Sequence, residues 1–187
     1  ASVYDYAYDG YQAHQFLAPG VAGTINADAE ITGAEAEFWA APSENWTIFL
    51  ASAFIFDSAI DNIRDTLGNT RTREMKQAPD MQLNGFIEYA VPRWGGELLA
   101  QLNFVRSDQY FSFLNNLGGG QVPSYKKFGG SLTWRSPTDA WYLRLNIENL
   151  TDEAILISAF DFSSSSGYVQ ELYQPPRWVS LNLGINF

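Results

Sequence analysis

Apolar and polar side chains alternate along most of this chain, and the alternation is cleanest at its end. Val179, Leu181, Leu183, Ile185 and Phe187 fall on one side; Ser180, Asn182, Gly184 and Asn186 fall on the other. Period two sends successive side chains to opposite faces, so the stretch predicts a strand with one apolar and one polar face. The same pattern recurs upstream. Leu83, Ile87, Tyr89 and Val91 oppose Gln82, Asn84 and Glu88; Leu98, Ala100, Leu102 and Phe104 oppose Gln101, Asn103 and Ser107. Phe128, Leu132 and Trp134 oppose Lys127, Ser131 and Thr133; Leu143, Leu145 and Ile147 oppose Arg144, Asn146 and Glu148. Earlier in the chain, Glu35 and Glu37 oppose Ala34, Ala36 and Phe38, whereas Trp46 to Asp57 alternates poorly because Phe49 and Ile55 join its small-residue face. The pattern predicts seven antiparallel strands near 27–40, 45–57, 80–91, 96–107, 124–135, 141–157 and 176–187, each paired with its sequence neighbour. The parity slips at Asn149-Leu150, which predicts a bulge inside the sixth strand. Ala1 to Gly23 shows little periodicity and predicts loop.

The connectors are sorted by length. Those at 41–44, 92–95 and 136–140 are short and rich in turn residues, while 59–80, 108–123 and 158–174 are long. Outer-membrane barrels have short periplasmic turns and longer outer loops, and a soluble meander has no reason to sort its loops by side. Strand length agrees. Ten residues at ~3.3 Å rise, tilted about 45°, cover roughly 23 Å, close to the ~25 Å apolar band of such barrels. Trp46, Trp134, Trp141 and Trp178 stand where the band would end, as interfacial aromatics do. The apolar faces then predict lipid as a partner, and the three short turns should share a rim with Phe187.

Composition removes other classes. The 187 residues suffice for one domain with a core. Hydrophobic residues make up 46% and charged residues 17%, which excludes disorder as the main state. A net charge of −10 argues against nucleic acid, whose phosphates need a basic surface. The longest nearly apolar run, Trp46 to Phe56, is too short for a spanning helix but long enough for a spanning strand. Ala1-Ser2-Val3-Tyr4-Asp5 has neither the basic start nor the apolar run of a leader. That leaves a cytosolic chain, a mature form or a piece of something longer.

Catalytic parts are scarce. With no Cys and His14 as the only histidine, thiolate chemistry, a triad and a His-based metal site lack components. Glu35 and Glu37 lie on one face, but a polar wall explains them better than an acid–base pair. Asp57, Asp61 and Asp65 recur every four residues and suit a solvated loop better than a cation site. No cofactor or metal is expected. Candidate ligand contacts are the basic island Arg64, Arg71, Arg73 and Lys76, which could attract an anion from an outer loop, and the aromatics Tyr110, Phe111 and Phe113 of the next long connector. Glu35, Glu37, Gln82, Asn84, Gln101, Asn103, Arg144, Asn146 and Glu148 are the expected lumen-lining positions.

Trp141-Tyr142-Leu143-Arg144-Leu145-Asn146-Ile147-Glu148-Asn149-Leu150-Thr151-Asp152-Glu153 resembles the penultimate strand of TonB-dependent outer-membrane receptors, with Asn149-Leu150-Thr151-Asp152 at its centre. The spacing from there to Pro176-Arg177 and to a final strand ending in Phe187 is similar to that family too, as is Ala29 to Glu37 to one of its earlier strands. Where the family usually has an aromatic after this motif, the chain has Ala154-Ile155. The resemblance implies an all-β transmembrane segment, the C-terminal part of a larger barrel of 22 strands with a plugged lumen, lacking the plug domain. It implies energised uptake of a scarce nutrient, often a ferric siderophore, not catalysis. It also implies a small-molecule or metal-chelate ligand, the TonB energy-coupling system acting through the missing N-terminal part, and the barrel-assembly machinery reading Phe187 as a terminal signal. Two other readings remain open at this point: a complete small outer-membrane barrel with a structural or adhesive role, and a soluble β-sandwich binding module.

Overall fold

The computed structural model describes residues 1–18, 21–64, 68–114, 116, 118–162 and 166–186. Strands dominate it. In chain order they are β1 (Ser2–Ala18), β2 (Val21–Ala40), β3 (Trp46–Arg64), β4 (Thr70–Arg73), β5 (Met81–Arg93), β6 (Gly96–Ser107) and β7 (Tyr110–Phe111), then β8 (Gln121–Val122), β9 (Tyr125–Arg135), β10 (Trp141–Glu148), β11 (Leu156–Asp161), β12 (Val169–Tyr173) and β13 (Trp178–Ile185). A single 3-10 turn, Gly118–Gly120, precedes β8. No described helix is long and apolar enough to cross a membrane.

One antiparallel sheet runs in the order β1-β2-β3-β5-β6-β9-β10-β13, with β4 paired to the far end of β3. Among the described residues it does not close: β1 and β13 are its two edges. The register carries the expected faces across every strand. One row reads Phe38, Leu50, Gly85, Phe104, Phe128, and another Ile87, Leu102, Gly130, Ile147, Val179. Leu181, Leu183 and Ile185 project from this apolar face with 67%, 66% and 61% of their surface exposed, far too much for a soluble core strand and suited to a wall that meets lipid. The opposite face carries a groove lined by Glu35, Glu37, Ala51, Ala53, Gln82 and Asn84; we call it the inner face.

The short turns lie on one rim. Trp94 and Gly95 both adopt positive φ, 52° and 76°, as the two-residue hairpin between β5 and β6 requires. Asn186 donates its backbone and side-chain amides to Ala140 and Asp139 of the β9–β10 turn, so the chain's last described residue shares that rim. Phe187 lies outside the described residues. Trp46 packs on Tyr89 at 4.6 Å and Trp134 on Trp141 at 4.8 Å on the apolar face near this rim, forming an interfacial girdle. Trp178 departs from that expectation. It pairs with Glu148 at the far end of β13, on the inner face.

Four sequence expectations need correction. Ala1 to Gly23 is not loop: it supplies β1 and the start of β2, so the main path has eight strands and the edge is β1. Its Tyr, Asp and Gly residues blur the hydrophobic period because one face is lined by tyrosines rather than aliphatics. The connector from Ala59 is partly strand, since β3 runs on to Arg64 and β4 returns along it. The connectors 108–123 and 158–174 contain the hairpins β7–β8 and β11–β12. The predicted strand 141–157 stops at Glu148, and what looked like a bulge is a turn with Asn149 and Asp152 at φ 50° and 56°.

Candidate functional site

The turn after β10 shows how a few side chains replace a strand. Asn149 is 1% exposed. Its amide donates to the Glu153 carbonyl at 2.9 Å, and its side-chain oxygen accepts from the Glu153 N–H at 3.1 Å. Asparagine tolerates the left-handed backbone and mimics a peptide in this role. Leu150 N–H donates to Phe128 of β9, and the Asp152 carboxylate accepts from the Arg177 N–H at 2.8 Å, just before β13. The motif Asn149-Leu150-Thr151-Asp152 thus ties β9, β10 and β13 together at the long-loop rim.

Above that rim the connectors interlock. Tyr110 of β7 donates its hydroxyl to the Ile157 carbonyl at 2.9 Å, and the Ala159 N–H of β11 donates to Ser112 Oγ at 3.1 Å. Val122, Leu156 and Ala159 are buried together, with Tyr110 packed against them. Burial raises the Tyr110 phenol above its usual range, and Tyr125 adds to the effect. The third connector joins through Asn116, whose oxygen accepts from the Glu74 N–H at 2.9 Å and whose amide donates to the Glu74 carbonyl at 3.2 Å. Gln77 N–H donates to Phe111 at 2.8 Å. Leu114 reaches the inner face, where it is buried with Ala13, Ala27, Ala29, Ile60 and Ile63. Ala27 and Ala29 share strand parity with Glu35 and Glu37, so the loop folds over the concave side.

This assembly brings several candidate residues together. The Phe113 ring meets Phe160 at 5.5 Å, Phe160 stacks on Phe162 at 6.4 Å, and Phe162 meets Tyr168 at 5.4 Å. Phe160, Phe162 and Tyr168 were not legible as partners, because only the β11–β12 hairpin sets them beside Phe113. Tyr173 closes that hairpin's outer end, its hydroxyl 2.6 Å from Glu171, which holds the phenol above its ordinary range. Arg71 and Arg73 lie on β4, opposite Ile63 and Ile60. Arg73 Nε is buried without a hydrogen-bond partner. Lys76 is exposed in the following turn, one residue from the Gln77–Phe111 bond. Arg64 ends β3, and only its backbone is described. Asp57 and Asp61 are on β3; Asp61 accepts from Thr72 at 2.6 Å, and Asp65 lies outside the described residues. Among the described residues no group of acidic or histidine side chains is arranged to hold a metal ion.

Lower on the inner face, the predicted polar positions share one surface in register. Gln82 pairs with Ala53 and Ser107, Asn84 with Ala51 and Val105, and Asn146 with Ser131 and Ser180. Asn103 stands opposite Phe86 and Gly129. Gln101 donates to Glu88 at 3.3 Å, Lys127 and Glu148 pair at 3.1 Å, and Arg144 Nε donates to Thr133 at 2.9 Å while its guanidinium lies 5.9 Å from the Tyr142 ring. Glu35 and Glu37 face the groove opposite Ala53 and Ala51. Sequence reasoning missed that this face is not wholly polar: Trp39, Phe49 and Phe86 cluster on it near the short-turn rim, with centroids 4.5–5.9 Å apart.

Residues 1–150 match the family described as TonB dependent receptor-like, beta-barrel. No curated protein matches the chain. Among solved structures, the ferric yersiniabactin uptake receptor FyuA from Yersinia pestis superposes with a TM-score of 0.74 at 18% identity, over 88% of this chain and 25% of that one. The siderophore receptor PiuA from Acinetobacter baumannii gives 0.67 at 16% identity, over 95% and 24%. BauA, the ferric preacinetobactin receptor of the same species, gives 0.67 at 15%, over 96% and 26%. The chain spans about a quarter of the length of the receptors it matches. With its lipid-facing apolar wall, sorted turns and loops, and this match over most of its length, the chain belongs to the TonB-dependent receptor β-barrel family, proteins of the Gram-negative outer membrane.

Proposed function

We propose that this chain is the C-terminal part of the barrel of a receptor that takes up a scarce nutrient, a ferric siderophore or a similar metal chelate. Its work is binding and passage rather than catalysis. The observation that carries this reading is the outer-loop assembly: three connectors, locked by Tyr110, Ser112, Asn116 and Leu114, hold an aromatic chain and the basic strand β4 above one polar wall. Aromatic faces and a cation are what an anionic, ring-bearing chelate needs for docking. In this reading Arg71, Arg73, Lys76, Tyr110, Phe111 and Phe113 border the ligand, with Arg64 beside them in the chain. Glu35, Glu37, Gln82, Asn84, Gln101, Asn103, Arg144, Asn146 and Glu148 line the lumen below. The similar structures are themselves receptors for ferric yersiniabactin, a siderophore and ferric preacinetobactin, which supports the ligand class.

The partners follow from the same reading. Lipid covers the apolar face, the barrel-assembly machinery reads Phe187, and the TonB system supplies energy through a plug that belongs to the N-terminal part. Two open edges leave unpaired backbone groups, each costing several kcal/mol in hydrocarbon, so β1 and β13 need neighbours. The test is uptake of radiolabelled ferric chelates by iron-starved cells carrying either the full-length receptor or this segment alone. Uptake by the full receptor, and none by the segment, is expected, with Arg73→Ala and Phe113→Ala lowering it. Uptake by the segment alone would sink the proposal and favour a complete small barrel.

A further inference from the structure

A row of tyrosines on β1 is left over when the loops and the polar wall have been assigned. Tyr4, Tyr6, Tyr8 and Tyr11 stand opposite Gly33, Ile31, Ala29 and Ala27, all with the parity of Glu35 and Glu37 and so on the inner face. Strict alternation would turn Tyr11 outward. Instead the register slips by one residue between Tyr8 and Tyr11, where Gly10 takes a φ of 70° and donates its N–H to Asp28 at 3.2 Å. A bulge with glycine in the left-handed region is the device that restores the face after an odd step. The row continues across it: successive ring centroids are 5.4, 6.2 and 6.0 Å apart. At the lower end the Tyr4 ring lies against Gly33, where any Cβ would collide with it.

These rings are not a core, since Tyr6 is 51% and Tyr8 44% exposed. Nor are they an interfacial girdle, because they run along a strand on the inner face instead of around a rim. The row is continuous with the outer loops. Tyr11 packs on the apolar cluster that contains Leu114, and Leu114 follows Phe113, whose ring meets Phe160. The floor beside the upper rings is made of small residues, Ala27 and Ala29, so a flat molecule can lie against the tyrosine faces. Near Tyr4 the neighbouring charge is Glu35, which disfavours an anion at that depth.

We propose that Tyr4, Tyr6, Tyr8 and Tyr11 form a binding track for uncharged ring-bearing molecules with hydroxylated rims, leading from the outer loops down the inner wall. Ring faces stack on the tyrosines, and phenol hydroxyls exchange hydrogen bonds with the rim. Pyranose sugars and neutral phenols share this chemistry. The proposal rests on the uptake reading only in taking the inner wall as the border of a ligand path.

The experiment is calorimetric titration of the full-length receptor in detergent with maltohexaose and, separately, with methyl 2,3-dihydroxybenzoate. It compares the native protein with Tyr6→Ala/Tyr8→Ala, Tyr6→Phe/Tyr8→Phe and the loop variant Phe160→Ala. Each stacked ring is worth about 2- to 12-fold in affinity. The double alanine variant should therefore bind one probe at least about fivefold more weakly, and the phenylalanine variant should stay within about threefold of native. The probe that responds identifies the source of the rings. Binding of neither probe by the native receptor overturns the proposal. So does equal loss in the alanine and phenylalanine variants, or unchanged affinity with a lowered melting temperature, which would make the row a support for a covering domain. If Phe160→Ala abolishes ferric chelate uptake while the alanine variant binds both probes normally, the track is wrong and the uptake reading stands. If the native receptor takes up no ferric chelate yet shows the expected titration pattern, the track stands without it.

Discussion

The lower sheet and the loop assembly above it are held in different ways. In the sheet, β5, β6, β9 and β10 present long runs of paired residues, and the environment of each side chain follows from its parity. No single contact is decisive, because the backbone ladder is continuous and each face is many residues wide. In the loops, particular atoms carry the structure: two bonds through Asn149, two through Asn116, one each through Tyr110 and Ser112. The sheet should tolerate changes that respect its faces and fail when a face is inverted. The loops should fail one anchor at a time, leaving the wall intact.

Inverting a face gives the largest expected effect. In the full-length receptor folded into lipid vesicles, Leu181→Arg should cost ~2–4 kcal/mol, since the cation loses its hydration on the apolar face. Asn182→Arg, one residue on but facing inward, should cost little. Equal losses in urea titrations of the two variants would erase the distinction between the faces. Next comes Leu114→Ala. Leu114 is 3% exposed among small alanines, so truncation leaves a cavity costing about 2–3 kcal/mol, the lower part of the usual range because a loop can partly settle. The loss should appear as faster hydrogen exchange in residues 74–77 and 108–116, with β9 and β10 still protected.

Asn149→Ala should cost roughly 1–2 kcal/mol, because it strands both backbone groups of Glu153 and puts alanine at a positive φ. Exchange should rise at 149–156 and at the start of β13; a change confined to residue 149 would contradict its role as a tie between strands. The smallest expected effect is at Tyr110. Tyr110→Phe removes one partly buried hydrogen bond, about 0.5–1.5 kcal/mol. The folded phenol is raised above the ordinary value of 10.0, so the fold favours the protonated form. That contribution is fully present below pH 10 and is lost as pH climbs through the raised value. Loop protection should be flat across neutral pH and fall only in strong alkali, and Tyr110→Phe should abolish that fall. A change between pH 6 and 8 would point to another group.

The strands were legible where one face was aliphatic and the other polar. Leu143, Leu145, Arg144 and Asn146 needed no tertiary information, and neither did the three short turns. The first strand pair failed the same test because Tyr4, Tyr6 and Tyr8 are amphipathic and count for neither face. Asn149 misled for a related reason: a parity slip looks the same in sequence whether the strand bulges or stops. Tyr110 and Phe113 stood out by composition, but their neighbours Phe160, Phe162 and Tyr168 lie some fifty residues away in the chain, a separation no local pattern spans.

The sequence by itself determined which faces meet lipid and water and which rim carries short turns. Both follow from side-chain period and connector length, quantities local to a few residues. Only the tertiary structure decided that Asn149-Leu150-Thr151-Asp152 is a tie, that three loops form one body, and that Gly10 keeps four tyrosines in line. Those outcomes depend on where backbone groups find partners across long stretches of chain. A one-residue change in register sends a side chain to the opposite face.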